Sequence, residues 1–282
     1  MNKPDLEARL ARLTRWLVSL PPTLFLVVFF VAPSLIVVLA SFRHPGEFGG
    51  LAPLLPWFGV DSGLTLETYR FFFSDFVYLE IFLKSFGVAA LTTLLCIVIA
   101  YPLAWLIARS PSSRRDLLVL LVILPFASNF LIRIYAWILL LGPFNLLYTS
   151  FAVIAGMVYV HLPFMVLPLY TNLEKHDPAL LEAAQDLGAN AWTRFWRITF
   201  PLSLPGIFSG SVLVFIPVLG MFAIPELLGG TGDILIGNLI KEQFLDNRDW
   251  PLGAMLSIML TLAVLALAGF SAWAGRSRGR TA

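Results

Sequence analysis

The sequence predicts an all-α, polytopic membrane protein, because of its composition, its low charge and the way in which charges are distributed. Of the 282 residues, 59% are hydrophobic and 13% are charged, and the mean hydropathy is +0.85. Soluble domains carry about 25% charged residues. Here the charges lie in short clusters between long uncharged blocks, as in chains that cross a bilayer several times as helices. This pattern excludes a disordered chain, a secreted disulfide scaffold and a nucleic-acid-binding domain.

Six crossing helices account for the uncharged blocks. A crossing needs about 20 mostly apolar residues. The block from 134 to 173 is too long for one crossing, and the segment Gly142-Pro143-Phe144-Asn145 divides it, because glycine and proline end helices and asparagine favours turns. The block before it reaches spanning length only by running through Arg133 to residue 141. The predicted spans are 17–42, 85–108, 117–141, 149–172, 204–226 and 252–274.

Lysine and arginine set the orientation, because they concentrate in cytoplasmic loops. With a cytoplasmic amino terminus, the inner segments hold 13 of the 19 cations, the outer segments hold five, and Arg133 lies within a span. Both termini are therefore predicted to be cytoplasmic. The outer segments also hold ten carboxylates, so the outer face is acidic.

The first 16 residues are predicted to form a helix on the inner leaflet. Leucines recur there at helical spacing with arginines between them, which is typical of an interfacial helix in contact with membrane lipid. The apolar run that follows is too long for the core of a signal peptide, and no small-residue cleavage site follows it. We expect it to remain as the first span of a single transmembrane domain, residues 17–282.

The cytoplasmic connection 174–203 reads as two short helices joined by a turn. Asp177 before Pro178 is a helix N-cap with proline at the first helical position. Gly188 suits the left-handed residue that ends a helix, and Asn190 can cap a second one. We expect Pro201, followed by Pro205, to end that second helix before the next span begins.

The residues of this connection resemble the EAA loop of ABC-importer permeases. The matching pattern is Glu182-Ala183-Ala184, then Asp186 and Gly188, then an apolar and aromatic stretch that ends at Pro201. The resemblance implies the fold of a type I importer permease, with this loop as the helix that docks in a cleft of an ATPase subunit. It also implies the partners: two cytoplasmic ATPase subunits, a second homologous permease and an extracytoplasmic solute-binding protein, at the bacterial cytoplasmic (inner) membrane.

Further segments resemble the spermidine/putrescine-type permeases more narrowly. Tyr101-Pro102-Leu103-Ala104 looks like the Tyr-Pro-x-Ala motif of the wider family. The resemblance implies a small cationic solute, a polyamine, as substrate. The other matching segments are Leu131–Trp137, Leu162–Tyr170, Pro225–Gly230 and Asn247–Pro251.

Motifs for catalysis, cofactors and metals are missing from the sequence. There is no GxxxxGK[ST] phosphate loop, no GxSxG and no HExxH. His44, His161 and His176 are scattered, without the spacing of metal ligands. We therefore expect no catalytic residue, cofactor or metal in this chain, and ATP hydrolysis in a separate subunit.

Charged residues near membrane depth are candidates for the substrate pathway, because a central charge costs about 2.5–3.5 kcal/mol on insertion scales. Arg133 either neutralises a carboxylate such as Glu226 or extends to the outer interface. Glu226, after Pro225, is either a transient ligand for a cation in a water-filled passage or an ordinary solvated carboxylate. Asp233 lies in the same outer loop and is a further candidate.

Aromatic and amide side chains on the third and fourth spans complete the candidate pathway. Aromatic faces attract ammonium groups by cation–π interaction, although Trp and Tyr near span ends also belong to the interfacial belt. The candidates are Asn129, Tyr135, Trp137 and Tyr159.

Three alternative functions differ in what they require of the spans. A permease for an opine or an amino-acid-like compound would differ only in pathway residues. An ion-driven secondary transporter should carry a carboxylate in the middle of a span, and the predicted spans hold none there. A membrane-embedded enzyme would need a cluster of His, Asp or Glu near one interface, and the sequence predicts none.

Overall fold

The computed structural model describes residues 18–53 and 63–278, with side chains up to residue 269. The predicted interfacial helix 1–16 lies outside the described residues. Within them, the only β pairing is two isolated bridges, Arg43 with Leu64 and Pro45 with Leu51. The all-α prediction is confirmed.

The helices of the described residues are numbered α1 to α11 in chain order. Helix α1 contains a π-helical stretch at Val27–Val31, and α8 contains another at Phe195–Thr199. Short 3₁₀ segments follow α4 at Leu124–Ala127 and α5 at Gly142–Phe144. The bounds are α1 Val18–Ser41, α2 Glu67–Ser74, α3 Phe76–Arg109, α4 Ser112–Ile123, α5 Phe130–Leu141, α6 Ser150–Leu173, α7 Pro178–Asp186, α8 Ala191–Gly220, α9 Ala223–Leu228, α10 Ile236–Leu245 and α11 Trp250–Arg278.

Five of these helices are long and apolar enough to cross a membrane: α1, α3, α6, α8 and α11. A sixth crossing is formed if α4 and α5, with their 3₁₀ extensions, count as one span bent by 92°. The predicted division of the long block is confirmed: the chain turns at Gly142–Phe144, and Asn145 adopts a left-handed conformation with φ of 55°.

The contacts divide the chain into two compact units. One unit is Met1–Ser74 with Ile240–Ala282, and the other is Asp75–Leu239. In the first, α1 packs on α11, and Ser41 hydrogen-bonds to the Tyr69 hydroxyl at 2.8 Å. The most apolar 18-residue stretch of α1 contains no buried residue, which suits a helix in contact with lipid or another subunit.

The second unit is built around α3, α6 and α8, which pack on one another. Small residues allow the close approach, as is usual for helices in lipid. A Cβ at Gly210 of α8 would lie 2.6 Å from the sulfur of Met165 on α6, and one at Gly206 would lie 2.7 Å from the Cβ of Asn172. On α3, the buried face carries Ala89, Cys96, Ala100 and Ala104.

Two helices extend beyond the predicted limits. Helix α3 begins at Phe76 rather than at residue 85, because Asp75 caps it by accepting a hydrogen bond from the Val77 amide at 3.0 Å. The predicted stop at Pro201 and Pro205 is wrong, since α8 runs through both prolines. A π-turn just before Pro201, in which the Phe200 amide donates to the Phe195 carbonyl, absorbs the disturbance to the hydrogen-bond ladder.

Candidate functional site

The cytoplasmic hairpin, residues 177–199, is held by caps at the start of both of its helices. The Asp177 carboxylate accepts a hydrogen bond from the Ala179 amide at 2.9 Å. The Asn190 side-chain oxygen accepts one from the Thr193 amide at 2.8 Å. Both predicted caps are therefore confirmed, and each satisfies an amide that a helix start leaves without a partner.

The turn of the hairpin depends on a left-handed glycine. Gly188 has φ of 79°, and its amide donates to the Gln185 carbonyl at 2.8 Å. The Ala189 amide donates to the Ala184 carbonyl at 2.9 Å. These two bonds form a Schellman motif, which fixes the direction in which the chain leaves α7. The predicted left-handed conformation of Gly188 is confirmed.

A contact that the sequence did not reveal joins the two helices of the hairpin. The Arg194 guanidinium on α8 donates to the Gln185 amide oxygen on α7 at 2.5 Å. Because α8 begins in the hairpin and continues into the membrane, this bond connects α7 to a crossing helix. Nine residues separate the two partners, so only the geometry of the turn brings them together.

The hairpin presents an exposed surface that is partly apolar. No residue of α7 is buried, and Leu187 is 88% and Trp192 70% exposed. Exposed large apolar groups on an aqueous face are typical of a protein–protein interface. The predicted docking residues lie here: Glu182, Ala183, Asp186 and Gly188 are exposed, and Ala184 is half-buried.

Helix α8 connects the hairpin to a break in the fifth span. It runs for 30 residues from Ala191 to Gly220, about 45 Å at 1.5 Å per residue. It then stops at Met221–Phe222, and the short helix α9 follows. Helix α9 packs on α6, where a Cβ at Gly156 would lie 2.7 Å from Leu228.

The start of α10 satisfies the polar groups freed by this break. The Asn238 side chain donates to the Phe222 carbonyl at 2.9 Å. The Ile236 amide donates to the Ser85 hydroxyl on α3 at 2.8 Å. Gly237 lies against the backbone of the break itself, with room for no larger residue. Irregular backbone at this position is therefore stabilised by specific contacts, as membrane interiors require.

Gly237→Ala is expected to destabilise the protein. Its Cβ would lie 2.7 Å from the Gly220 carbonyl oxygen and 2.8 Å from that of Met221, and backbone atoms cannot rotate away. Overpacking of this kind costs about 1–3 kcal/mol. The measurement is the thermal unfolding midpoint in detergent, with Gly232→Ala as control because its Cβ would have nothing within 4 Å. Equal midpoints for the two variants would contradict the contact.

The third span is broken at Ser128–Asn129, where the sequence predicted one continuous helix over 117–141. The 3₁₀ turn at Leu124–Ala127 ends α4, and Asn129 caps α5 by accepting from the Leu131 amide at 2.8 Å. The Phe126 and Phe164 rings meet edge to face at 5.1 Å, which places the break beside α6. Pro125 and Asn129 were the local signals for this break, and counting apolar residues overlooked them.

Arg133 follows this break and lies against aromatic rings. Its guanidinium carbon is 5.3 Å from the Phe126 ring centroid and 5.9 Å from that of Phe130. Its Nε is buried without a hydrogen-bond partner. The structure thus shows cation–π contacts of Arg133 with two aromatic rings.

Three of the remaining pathway candidates are aromatic residues of α5 and α6. Trp137 on α5 meets Tyr159 on α6 edge to face at 5.7 Å, and Tyr135 is 56% exposed. Helix α9, which carries the exposed Glu226 in its first turn, contacts both α5 and α6. Asn129 is exposed beside the break.

The Asp233 carboxylate is held by three neighbours. It accepts from the Gly230 amide at 3.1 Å and from the Ser150 hydroxyl at 2.6 Å. It also pairs with Lys84 at 3.8 Å. These contacts join three segments of the second unit around the turn that follows α9.

The described part of the chain thus combines crossing helices that are broken with an exposed cytoplasmic hairpin at the start of α8. The chain belongs to the family described as "Binding-protein-dependent transport system inner membrane component", which matches residues 100–277. It is therefore a multi-pass inner-membrane permease of the ABC importer type. The predictions of fold class, location and a transport rather than enzymatic role are confirmed.

Two relatives and one solved structure illustrate the similarity. The spermidine/putrescine transport system permease protein PotB of Escherichia coli (strain K12) is 42% identical over 259 residues, which cover 85% of this chain and 90% of that protein. The protein of the same name from Haemophilus influenzae is 39% identical over 262 residues, covering 86% and 87%. A bacterial ABC transporter involved in the import of the acidic polysaccharide alginate superposes with a TM-score of 0.69 at 18% identity, over 97% of this chain and 99% of that one, which shows the fold.

Proposed function

We propose that the chain is the permease subunit through which an ATP-driven importer moves a polyamine such as spermidine or putrescine. The observation that carries the mechanism is the continuity of α8, which joins the cytoplasmic hairpin to the break at Met221–Phe222. A displacement of the hairpin is therefore transmitted through one helix to the break at Met221–Phe222. The substrate rests on the 42% identity to PotB and on an outer face with ten carboxylates against five cations.

The hairpin is the docking element for a cytoplasmic ATPase in this proposal. Its support is the exposed apolar surface around Leu187 and Trp192 together with the fixed turn at Gly188. Two ATPases would engage two hairpins, one from this chain and one from a second, homologous permease. ATP binding would draw the hairpins together and open the passage outward, and hydrolysis would reset it. An extracytoplasmic binding protein would deliver the substrate.

The pathway in this proposal follows the two breaks and the aromatic pair between them. Helix α9 with Glu226 contacts the helices that carry Trp137 and Tyr159. A carboxylate and aromatic faces suit a flexible chain of ammonium groups, each held weakly so that release remains fast. Asn129, the N-cap of α5, and Tyr135, in the middle of that helix, are both exposed.

Asp233 and Arg133 are assigned to structure rather than to the substrate. The Asp233 carboxylate is held within the second unit by Gly230, Ser150 and Lys84. Arg133 contacts Phe126 and Phe130 on the two sides of the break. Its cation therefore supports the bend between α4 and α5.

Purification of the tagged chain in mild detergent, with mass identification of co-purifying proteins, tests the assembly. We expect an ATPase and a second permease. Uptake of labelled spermidine and putrescine, with unlabelled amino acids and opines as competitors, tests the substrate. Absence of an ATPase among the co-purifying proteins would contradict the docking role. Competition by an amino-acid-like compound but not by polyamines would show that the substrate is amino-acid-like.

A further inference from the structure

A cavity of about 480 Å³ lies at the cytoplasmic end of the second unit, between the end of α3, the end of α6 and the hairpin helix α7. Arg109, Arg115 and Arg194 line it from three different segments, together with His176. Two carboxylates, Glu174 and Glu182, also line it. The arginines thus outnumber the carboxylates in a space large enough for a ligand.

Two of the three arginines form no ion pair with a carboxylate within the described residues. The Arg109 guanidinium lies over the Trp105 ring at 4.7 Å, and Arg194 binds the neutral amide oxygen of Gln185. Arg115 differs from them, because it pairs with Glu174 at 2.5 Å and donates to the Ala108 and Ser110 carbonyls at 3.3 and 3.4 Å. Charge-assisted hydrogen bonds are the strong ones, so Arg109 and Arg194 favour an anionic ligand in this cavity.

A second cavity, of about 500 Å³ and mostly apolar, adjoins the first. The two share Trp105, Arg109 and Arg194 in their walls. The apolar part adds Tyr101, Pro102 and Phe195. A ligand that fills both parts has an anionic group at one end and a hydrocarbon at the other.

The position in the membrane matches such a ligand. Arg109 is the last residue of α3, at its cytoplasmic end, and the exposed Leu106 lies one turn before it on the same helix. The inner leaflet presents anionic headgroups at this level, with acyl chains just above them. A free phosphate ion would occupy the basic part and leave the apolar part unused.

We propose that this cavity binds one anionic phospholipid of the inner leaflet. Its phosphate lies between Arg109 and Arg194, and one acyl chain lies along Tyr101 and Phe195. Since Leu181 of α7 lies in the wall of both cavities, the lipid connects the hairpin to the crossing helix α3. This site is separate from the substrate pathway and does not depend on which solute is carried.

Binding of phosphatidylglycerol to the delipidated full-length chain in detergent, measured by native mass spectrometry, tests the proposal. Arg109→Gln is expected to weaken binding about tenfold, the loss of one charge-assisted contact. Arg114→Gln removes the same charge from an exposed position outside the cavity and should leave binding unchanged. Phosphatidylcholine should bind weakly to the unmodified chain.

Ala191→Phe separates a lipid from a small anion, because Ala191 lies in the apolar part only. We expect it to weaken phosphatidylglycerol binding while Arg109, Arg115 and Arg194 remain. Inorganic phosphate that displaces the lipid from the wild type, and binds the Ala191→Phe variant as well as the wild type, would assign the site to a free anion and overturn the proposal. Equal losses in Arg109→Gln and Arg114→Gln would reduce the effect to general surface charge and overturn it too.

Discussion

Replacement of Gly188 by valine is expected to reduce uptake at least about tenfold while the chain still inserts into the membrane. Gly188 has φ of 79°, and a Cβ there would meet nothing within 4 Å, so the cost is purely one of backbone conformation. A left-handed residue costs about 1–2 kcal/mol outside glycine, more for a β-branched side chain, and 1.4 kcal/mol is a factor of ten. The bonds from Gly188 and Ala189 that fix the turn would be lost.

Gly188→Asn is the matched control, because asparagine tolerates the left-handed region. We expect it to keep most of the uptake. The measurements are uptake of labelled substrate, the amount of membrane-inserted chain and co-purification of the ATPase. A valine variant that transports at the normal rate would show that the turn does not transmit motion.

Replacement of Glu226 by glutamine is expected to lower polyamine uptake about tenfold. The carboxylate is exposed in the first turn of α9, on the helix that contacts both α5 and α6. Loss of one charge-assisted contact to an ammonium group costs about 1.5–3 kcal/mol. Because the hairpin is on the opposite side of the membrane, co-purification of the ATPase should not change.

Glu80→Gln supplies the control for Glu226→Gln. Glu80 is also an exposed outer carboxylate, near the start of α3, so this variant reduces the charge of the outer face equally. We expect it to retain normal uptake. Equal uptake by the Glu226→Gln variant and the wild type would remove Glu226 from the pathway, and equal losses in both variants would indicate a general effect of the acidic face.

Local chemistry made the hairpin predictable from the sequence. Asp177, Gly188 and Asn190 act through hydrogen bonds and backbone angles within a few residues, and each has a strong preference for its position. The bond from Arg194 to Gln185 was not predictable, since it requires the turn to be closed first.

The course of the crossing helices was less predictable than their number. Counting apolar residues finds a span but does not tell a straight helix from one bent by 92° at Ser128–Asn129. Pro201 was read as a helix end because prolines break helices in water. In the structure a π-turn absorbs it, and the helix continues.

The candidate site was only partly predictable, because tertiary contacts decide it. The contacts of Asp233 with Gly230, Ser150 and Lys84 could not be predicted, because the last two partners lie on distant segments. The basic cavity joins Arg109, Arg115 and Arg194, which lie on different segments and share no motif.

The glycines of α8 have a mechanical consequence. Gly206 and Gly210 lie near the middle of the 30-residue helix and allow it to approach α6 closely, so the helix can tilt about this contact. A tilt of about 10° about this point moves each end by roughly 4 Å, given a half-length of about 22 Å. Four ångströms is close to the width of a methylene chain. A tilt of α8 by about 10° is thus enough to open or close a passage for a slender molecule.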